Sequence, residues 1–163
     1  MKNVLAGLAI AMTSATASFA GGCDTEDQIH ALAMNMYHEA RGEGPDAMQL
    51  VGEVTLNRVE NKHFPKNVCD VVYQARLDSK GNPRRYKCQF SWFCDGRSDK
   101  AYDVKSWKLA ESIAAGLVNK TISLIGIDAT HYHTTSVNPS WSKHYTKIGL
   151  YGDHIFYHMG DRL

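Results

Sequence analysis

Ile29, Leu32, Ala33, Met36, Tyr37 and Ala40 recur at i, i+3, i+4, i+7, i+8 and i+11. Only an α-helix gathers that spacing on one face. The run ends in Tyr37-His38-Glu39-Ala40-Arg41-Gly42-Glu43, and Gly42 is placed to stop the helix. At about 100° per residue, Glu39 lies at the rim of the buried face, beside Leu32 and Met36. A carboxyl group at such a rim loses part of its hydration, which favours its neutral, proton-donating form. The alternative is a solvated surface Glu at a helix end.

The first 20 residues have the order of an export signal: Lys2, an apolar run from Val4 to Met12, then small residues ending Ser18-Phe19-Ala20. The run is shorter than the about 20 apolar residues that span a bilayer. Cleavage is expected after Ala20. Ala20-Gly21-Gly22-Cys23 is close to a lipoprotein site but lacks the usual Leu, and a retained, signal-anchored form is the other alternative. Residues 21–163 are expected to form one domain, long enough for a real core. Without Lys2 its 18 basic residues become 17, against 17 acidic ones. That balance does not suggest a nucleic-acid partner, which calls for a basic excess.

All four cysteines (Cys23, Cys69, Cys88 and Cys94) follow the cleavage point. An even number in an exported chain reads as two disulfides, with three possible pairings. Cys88 with Cys94 would clip a short loop, and Cys23 with Cys69 would tie the first helix to a third segment. Zinc is the rival reading, but the chain contains no Cys-x-x-Cys pair.

Thr25 and Gln28 have the spacing of a capping box for the first helix. Pro45 suits the first position of a second helix, running to about Val59. A short helix is expected over Val68–Tyr73, and an exposed loop over Asp78–Lys87. A third long helix should run from about Ala101 to Asn119, with Val104, Trp107, Ala110, Ile113, Ala114, Leu117 and Val118 toward the core. Extended segments follow at His131–His133, Thr146–Ile148 and His154–His158. Together these make an α+β domain, mostly helical, with a small late sheet.

Glu39 and Glu43 are the candidate acids. Two close carboxylates suit a glycosidase, but one is often structural, here as a partner for Arg41 or Arg58. A single acid suffices where a sugar hydroxyl of the substrate attacks the anomeric carbon and the same carboxylate then takes up its proton. Aromatic residues cluster at Gln89–Phe93 and Tyr132–Trp141. Phe90, Tyr132 and Trp141 offer faces for sugar rings, with Gln89, Ser91, His133, Asn138 and Glu43 beside them for hydroxyl and acetamido groups. The competing reading places Phe90 and Trp141 in the core. His131 and His133 share a strand face, as metal-binding His-x-His pairs do, and would carry a zinc amidase or peptidase. They lack a convincing third ligand, so no metal and no cofactor is expected. No nucleophile elbow, phosphate loop or dinucleotide motif is present.

Six stretches, taken in series, resemble one family. They are Ala33–Glu43, Val51–Val59, Phe64–Gln74, Cys88–Gly96, Ala129–Trp141 and Ile148–Tyr157. The chain is similar along these to the SleB/CwlJ-type cell-wall hydrolases, related to spore-cortex-lytic enzymes. The resemblance implies a lysozyme-like fold of the lytic-transglycosylase kind, acting on peptidoglycan glycan strands. It implies Glu39, the first Glu of Glu-Ala-Arg-Gly-Glu, as the catalytic acid. It also implies cleavage between N-acetylmuramic acid and N-acetylglucosamine by attack of the muramic 6-hydroxyl, leaving a 1,6-anhydro end. The spore enzymes lack the Cys88–Cys94 segment, so ordinary envelope peptidoglycan is the expected substrate rather than cortex. A periplasmic or extracellular monomer is expected. A non-catalytic glycan-binding module is the remaining alternative.

Overall fold

The computed structural model describes residues 22–160, so the expected signal peptide lies outside the described residues. Helix α1 spans Thr25–Ala40, α2 Pro45–Glu60, α3 Val68–Val72 and α4 Val104–Val118. A hairpin of β1 (Ala75–Leu77) and β2 (Pro83–Cys88) separates α3 from a 3-10 turn at Ser91–Cys94. After α4 come β3 (His131–Thr134), a second 3-10 turn at Ser140–His144, β4 (Thr146–Tyr151) and β5 (His154–His158). The fold is the mostly helical α+β arrangement with a small late sheet that the patterning indicates.

The first helix begins one residue earlier in its cap than expected. Asp24, not Thr25, is the N-cap: its carboxylate accepts from Asp27 N at 2.9 Å, and Asp27 accepts from Asp24 N at 3.3 Å. Both pairs have the same spacing, and the charged acceptors also complement the helix dipole. The third long helix starts at Val104, because Asp103 accepts from Lys105 N and Ser106 N. Val104 is therefore in the first turn and 62 % exposed, not in the core. The stretch Asp78–Lys87 is exposed as expected, but it is a hairpin rather than a loop. The Asp78 carboxylate accepts from Lys80 N and Asn82 N and folds the turn. Strand β2 carries no buried face until Cys88, so no apolar alternation announces it.

Helix α1 is central, packed against α2, α3 and α4. Leu32, Met36, Val51, Val71, Val72, Ala110, Ala114 and Leu117 form its core. A Cβ at Gly52 would lie 2.7 Å from both Leu117 Cδ1 and Met36 Sδ, so this glycine lets α1, α2 and α4 converge. The disulfide Cys23–Cys69 ties the start of α1 to α3, and Cys88–Cys94 brackets the first 3-10 turn.

The late sheet is antiparallel in the order β3-β5-β4. Tyr132 pairs with Phe156 and Thr134 with His154, while His131 pairs with Tyr157 and His133 with Ile155. Side chains alternate along a strand, so Tyr132, Thr134, His154 and Phe156 face one way. Phe156 on that face packs with Leu50, Val54 and Ala129. His131, His133 and Tyr157 face the other way.

Candidate active site

Glu39 stands on the last turn of α1, half-buried, where the sheet meets the helices. Tyr132 of β3 donates its hydroxyl to Glu39 Oε2 at 3.2 Å. Burial pushes the Glu39 carboxyl pKa up. The Tyr132 hydrogen bond and the charges of His154 and Arg58 pull it down, and nearby Glu43 pushes it up slightly. The net direction is upward, toward a carboxyl that keeps its proton longer than a solvated one. Burial and the Glu39 charge also hold the Tyr132 phenol well above its ordinary pKa, so it stays a donor.

The support beneath the pair is polar and buried. Asn35, one turn before Glu39, accepts from Trp92 Nε1 at 3.0 Å and donates to Thr55 Oγ1 at 3.2 Å. His38 stacks on Trp92 with ring centroids 4.7 Å apart, and its Nε2 donates to the Asp99 carbonyl at 3.0 Å. These bonds bring the 3-10 turn against α1, so Ser91 and Trp92 line the same groove as Glu39. The groove has a volume of about 630 Å³, and Thr134, His154, Arg41 and Arg97 also border it.

Arg58 of α2 lies behind the site, 3 % exposed. Its Nε donates to the Thr130 carbonyl at 2.7 Å, and its guanidinium lies between the rings of Phe64 and Phe90. Burial lowers its pKa to about 10, with the charges of Tyr132 and Glu39 opposing. It therefore remains a cation at neutral pH. The same cation, after burial, holds the His131 pKa down to about 4.

The expected site residues divide between two faces of the sheet. Tyr132 reaches Glu39, and Ser91 reaches the groove. Phe90 does not: it is buried core under Arg58, where a ring is needed to pack the cation. Gln89 is exposed and outside the groove lining. His133 and Trp141 lie on the opposite face. Trp141 packs against His131, His133, Tyr145 and Tyr157. Asn138 is exposed beside that cluster and accepts from Ser142 Oγ at 3.4 Å. Strand alternation causes the split, since His133 and Tyr132 are neighbours in sequence and cannot face the same way.

His131 and His133 are both engaged. Thr130 Oγ1 is 3.0 Å from His131 Nδ1. His133 Nδ1 donates to the Thr134 carbonyl at 2.8 Å, and Tyr157 donates to its Nε2 at 3.0 Å. Among the described residues no group of three His, Cys, Asp or Glu side chains is gathered to hold a metal ion. Glu43 is paired with neither Arg41 nor Arg58. It accepts from Asp153 N at 2.9 Å and from His154 Nδ1 at 3.2 Å. His154 is thus a groove residue that the histidine spacing alone did not single out. It shares a face with Tyr132 and Thr134 through the β3–β5 register, which the sequence does not state.

The chain is matched over residues 42–157 by the Cell Wall Hydrolase family model, and it belongs to that family. It is an enzyme of peptidoglycan breakdown. The matched stretch begins three residues after Glu39. The fold is similar to the catalytic domain of SleB from Bacillus cereus, at 22 % identity and a TM-score of 0.57, covering 91 % of this chain and 98 % of that one. It is also similar to the catalytic domain of the germination-specific lytic transglycosylase SleB from Bacillus anthracis. That identity is 24 %, the TM-score 0.58, and the coverage 86 % of this chain and 99 % of that one. No curated protein matches the chain.

Proposed function

We propose that residues 21–163 form an exported, monomeric lytic transglycosylase that cleaves the β-1,4 bond between N-acetylmuramic acid and N-acetylglucosamine. Glu39 is its general acid and, after proton delivery, its base. The observation that carries this reading is a carboxyl whose pKa is raised chiefly by burial, lining a groove of about 630 Å³. A raised pKa extends upward the pH range over which the acid holds the proton that the leaving oxygen needs. Glu43 is the alternative second carboxylate, but both its oxygens are within 3.2 Å of His154 Nδ1. It is therefore poorly free to act as a covalent nucleophile, which favours attack by the substrate's own 6-hydroxyl. One fold neighbour, SleB from Bacillus anthracis, is itself a lytic transglycosylase, which agrees with this choice.

The test is mass spectrometry of the soluble products from purified peptidoglycan, with Glu39→Gln as control. Anhydromuropeptides from the unmutated protein, and at least about 100-fold less from Glu39→Gln, are expected. Reducing sugar ends would replace the internal attack with water. Free stem peptides would overturn the glycosidase reading.

A further inference from the structure

Glu43 and His154 are 111 residues apart and meet at the groove. Glu43 sits at the corner between α1 and α2, and His154 opens β5 just after the Gly152-Asp153 turn. Gly152 has φ +57°, and a Cβ there would come within 2.5 Å of Glu43 Oε2, so the turn is shaped around the carboxylate. In the neutral imidazole, donation from Nδ1 to Glu43 leaves the lone pair on Nε2.

His154 is 2 % exposed, yet it borders the same groove as Glu39. Its Nε2 has no bonding partner among the described residues. The one fully buried side-chain nitrogen or oxygen there without a partner is Arg58 Nη1, so His154 Nε2 is not fully buried. The imidazole stands edge-on to Tyr132, with centroids 5.1 Å apart and planes at 89°. Glu39 and His154 therefore flank the same tyrosine, one bonded to its hydroxyl and the other packed on its ring.

We propose that His154, oriented by Glu43, is a second catalytic residue: the relay through which the proton of the attacking hydroxyl reaches Glu39, so that Glu39 acts as base through the imidazole and not by direct contact. This rests on the assignment of Glu39 as the acid. Glu39 gives its proton to the glycosidic oxygen, which keeps the electron pair as the bond to the anomeric carbon breaks. The attacking hydroxyl oxygen forms the new bond to that carbon, and its proton passes to His154 Nε2. The imidazolium, with Nδ1–H still on Glu43, then returns a proton to the Glu39 carboxylate. Both groups end as they began. The Glu43 carboxylate stabilises the transient cation, as a buried carboxylate does for a catalytic imidazole elsewhere.

The experiment compares the wild-type protein, Glu39→Gln, His154→Gln, His154→Gly and Glu43→Gln on purified peptidoglycan. Circular dichroism and thermal unfolding are read on each. Folded His154→Gln is expected to lose about 100-fold in kcat, and Glu43→Gln about 10-fold, because it removes orientation rather than the base. Added imidazole should restore His154→Gly in a saturable way and leave Glu39→Gln inactive. Rescue separates a base from a structural side chain, which added imidazole would not replace. A folded His154→Gln within threefold of wild type overturns the relay while the acid reading stands. So does a folded His154→Gly that imidazole leaves unchanged. If the histidine variants fail to fold, wild-type activity in folded Glu43→Gln overturns the relay. An active Glu39→Gln overturns the acid reading, and the relay with it.

Discussion

The Tyr132 hydroxyl bonds Glu39 Oε2 across 93 residues of chain, and this bond opposes the effect of burial on the carboxyl. A hydrogen bond donated to a carboxylate favours its charged form. The bond therefore limits how far desolvation raises the Glu39 pKa.

Tyr132→Phe removes that opposition and keeps the ring. The Glu39 pKa should rise further, and the acid form should persist to higher pH. The descending limb of the kcat/KM profile is expected to move to higher pH, with a loss of less than about 10-fold at the optimum. A pH-rate series on the two proteins checks this; a limb that stays or moves down contradicts it.

Glu39→Gln should raise stability while it removes activity. A carboxyl whose folded-state pKa lies above its unfolded value binds more protons in the native state. Stability is then lost as pH rises from the unfolded pKa through the folded one. Glutamine carries no such loss. The difference in Tm between the variant and the wild type is expected to be near zero at pH 4 and to grow to about 2–4 °C at neutral pH. Thermal unfolding across pH measures it, and a difference that shrinks with rising pH would reverse the sign of the Glu39 shift.

The two disulfides should separate stability from activity. Cys23–Cys69 spans 46 residues and joins α1 to α3. Replacing both cysteines with Ser should cost about 3–5 kcal/mol in denaturant unfolding. Cys88–Cys94 spans six and brackets Ser91 and Trp92 at the groove wall. Its Ser variant should lose less stability but several-fold in kcat/KM. Equal effects on both measurements in both variants would contradict the division.

Much of the helical half was legible because helix periodicity is local. The face of α1, the start of α2 at Pro45 and the short α3 all follow from spacing and end signals within a few residues. The errors arose where two local signals competed. Asp24–Asp27 and Thr25–Gln28 offer the same cap spacing, and the Asp103 cap starts α4 at Val104, three residues after the expected Ala101. The β1–β2 hairpin went unseen because it buries almost nothing, so hydrophobic alternation had nothing to report.

The site was half legible for a related reason. Tyr132 and Trp141 look alike as an aromatic cluster in sequence, but the sheet sends them to opposite faces, and only Tyr132 meets Glu39. Phe90 looks like a sugar platform beside Ser91, yet it packs under Arg58. Composition marks residues able to stack or bond; it does not state what they face.

The sequence by itself determined the helical patterning, the position of Glu39 at the rim of a buried face, and the order of motifs that the family carries. These depend on spacings within one or two turns, and hydrophobic burial enforces them whatever lies opposite. Only the tertiary structure decided that Glu39 meets Tyr132, that Glu43 holds His154, and that Arg58 is enclosed by rings near the acid. Apart from Phe64, six residues from Arg58, those pairings join segments about 30 to 110 residues apart. The desolvation that sets the Glu39 proton comes from neighbours that local periodicity does not name.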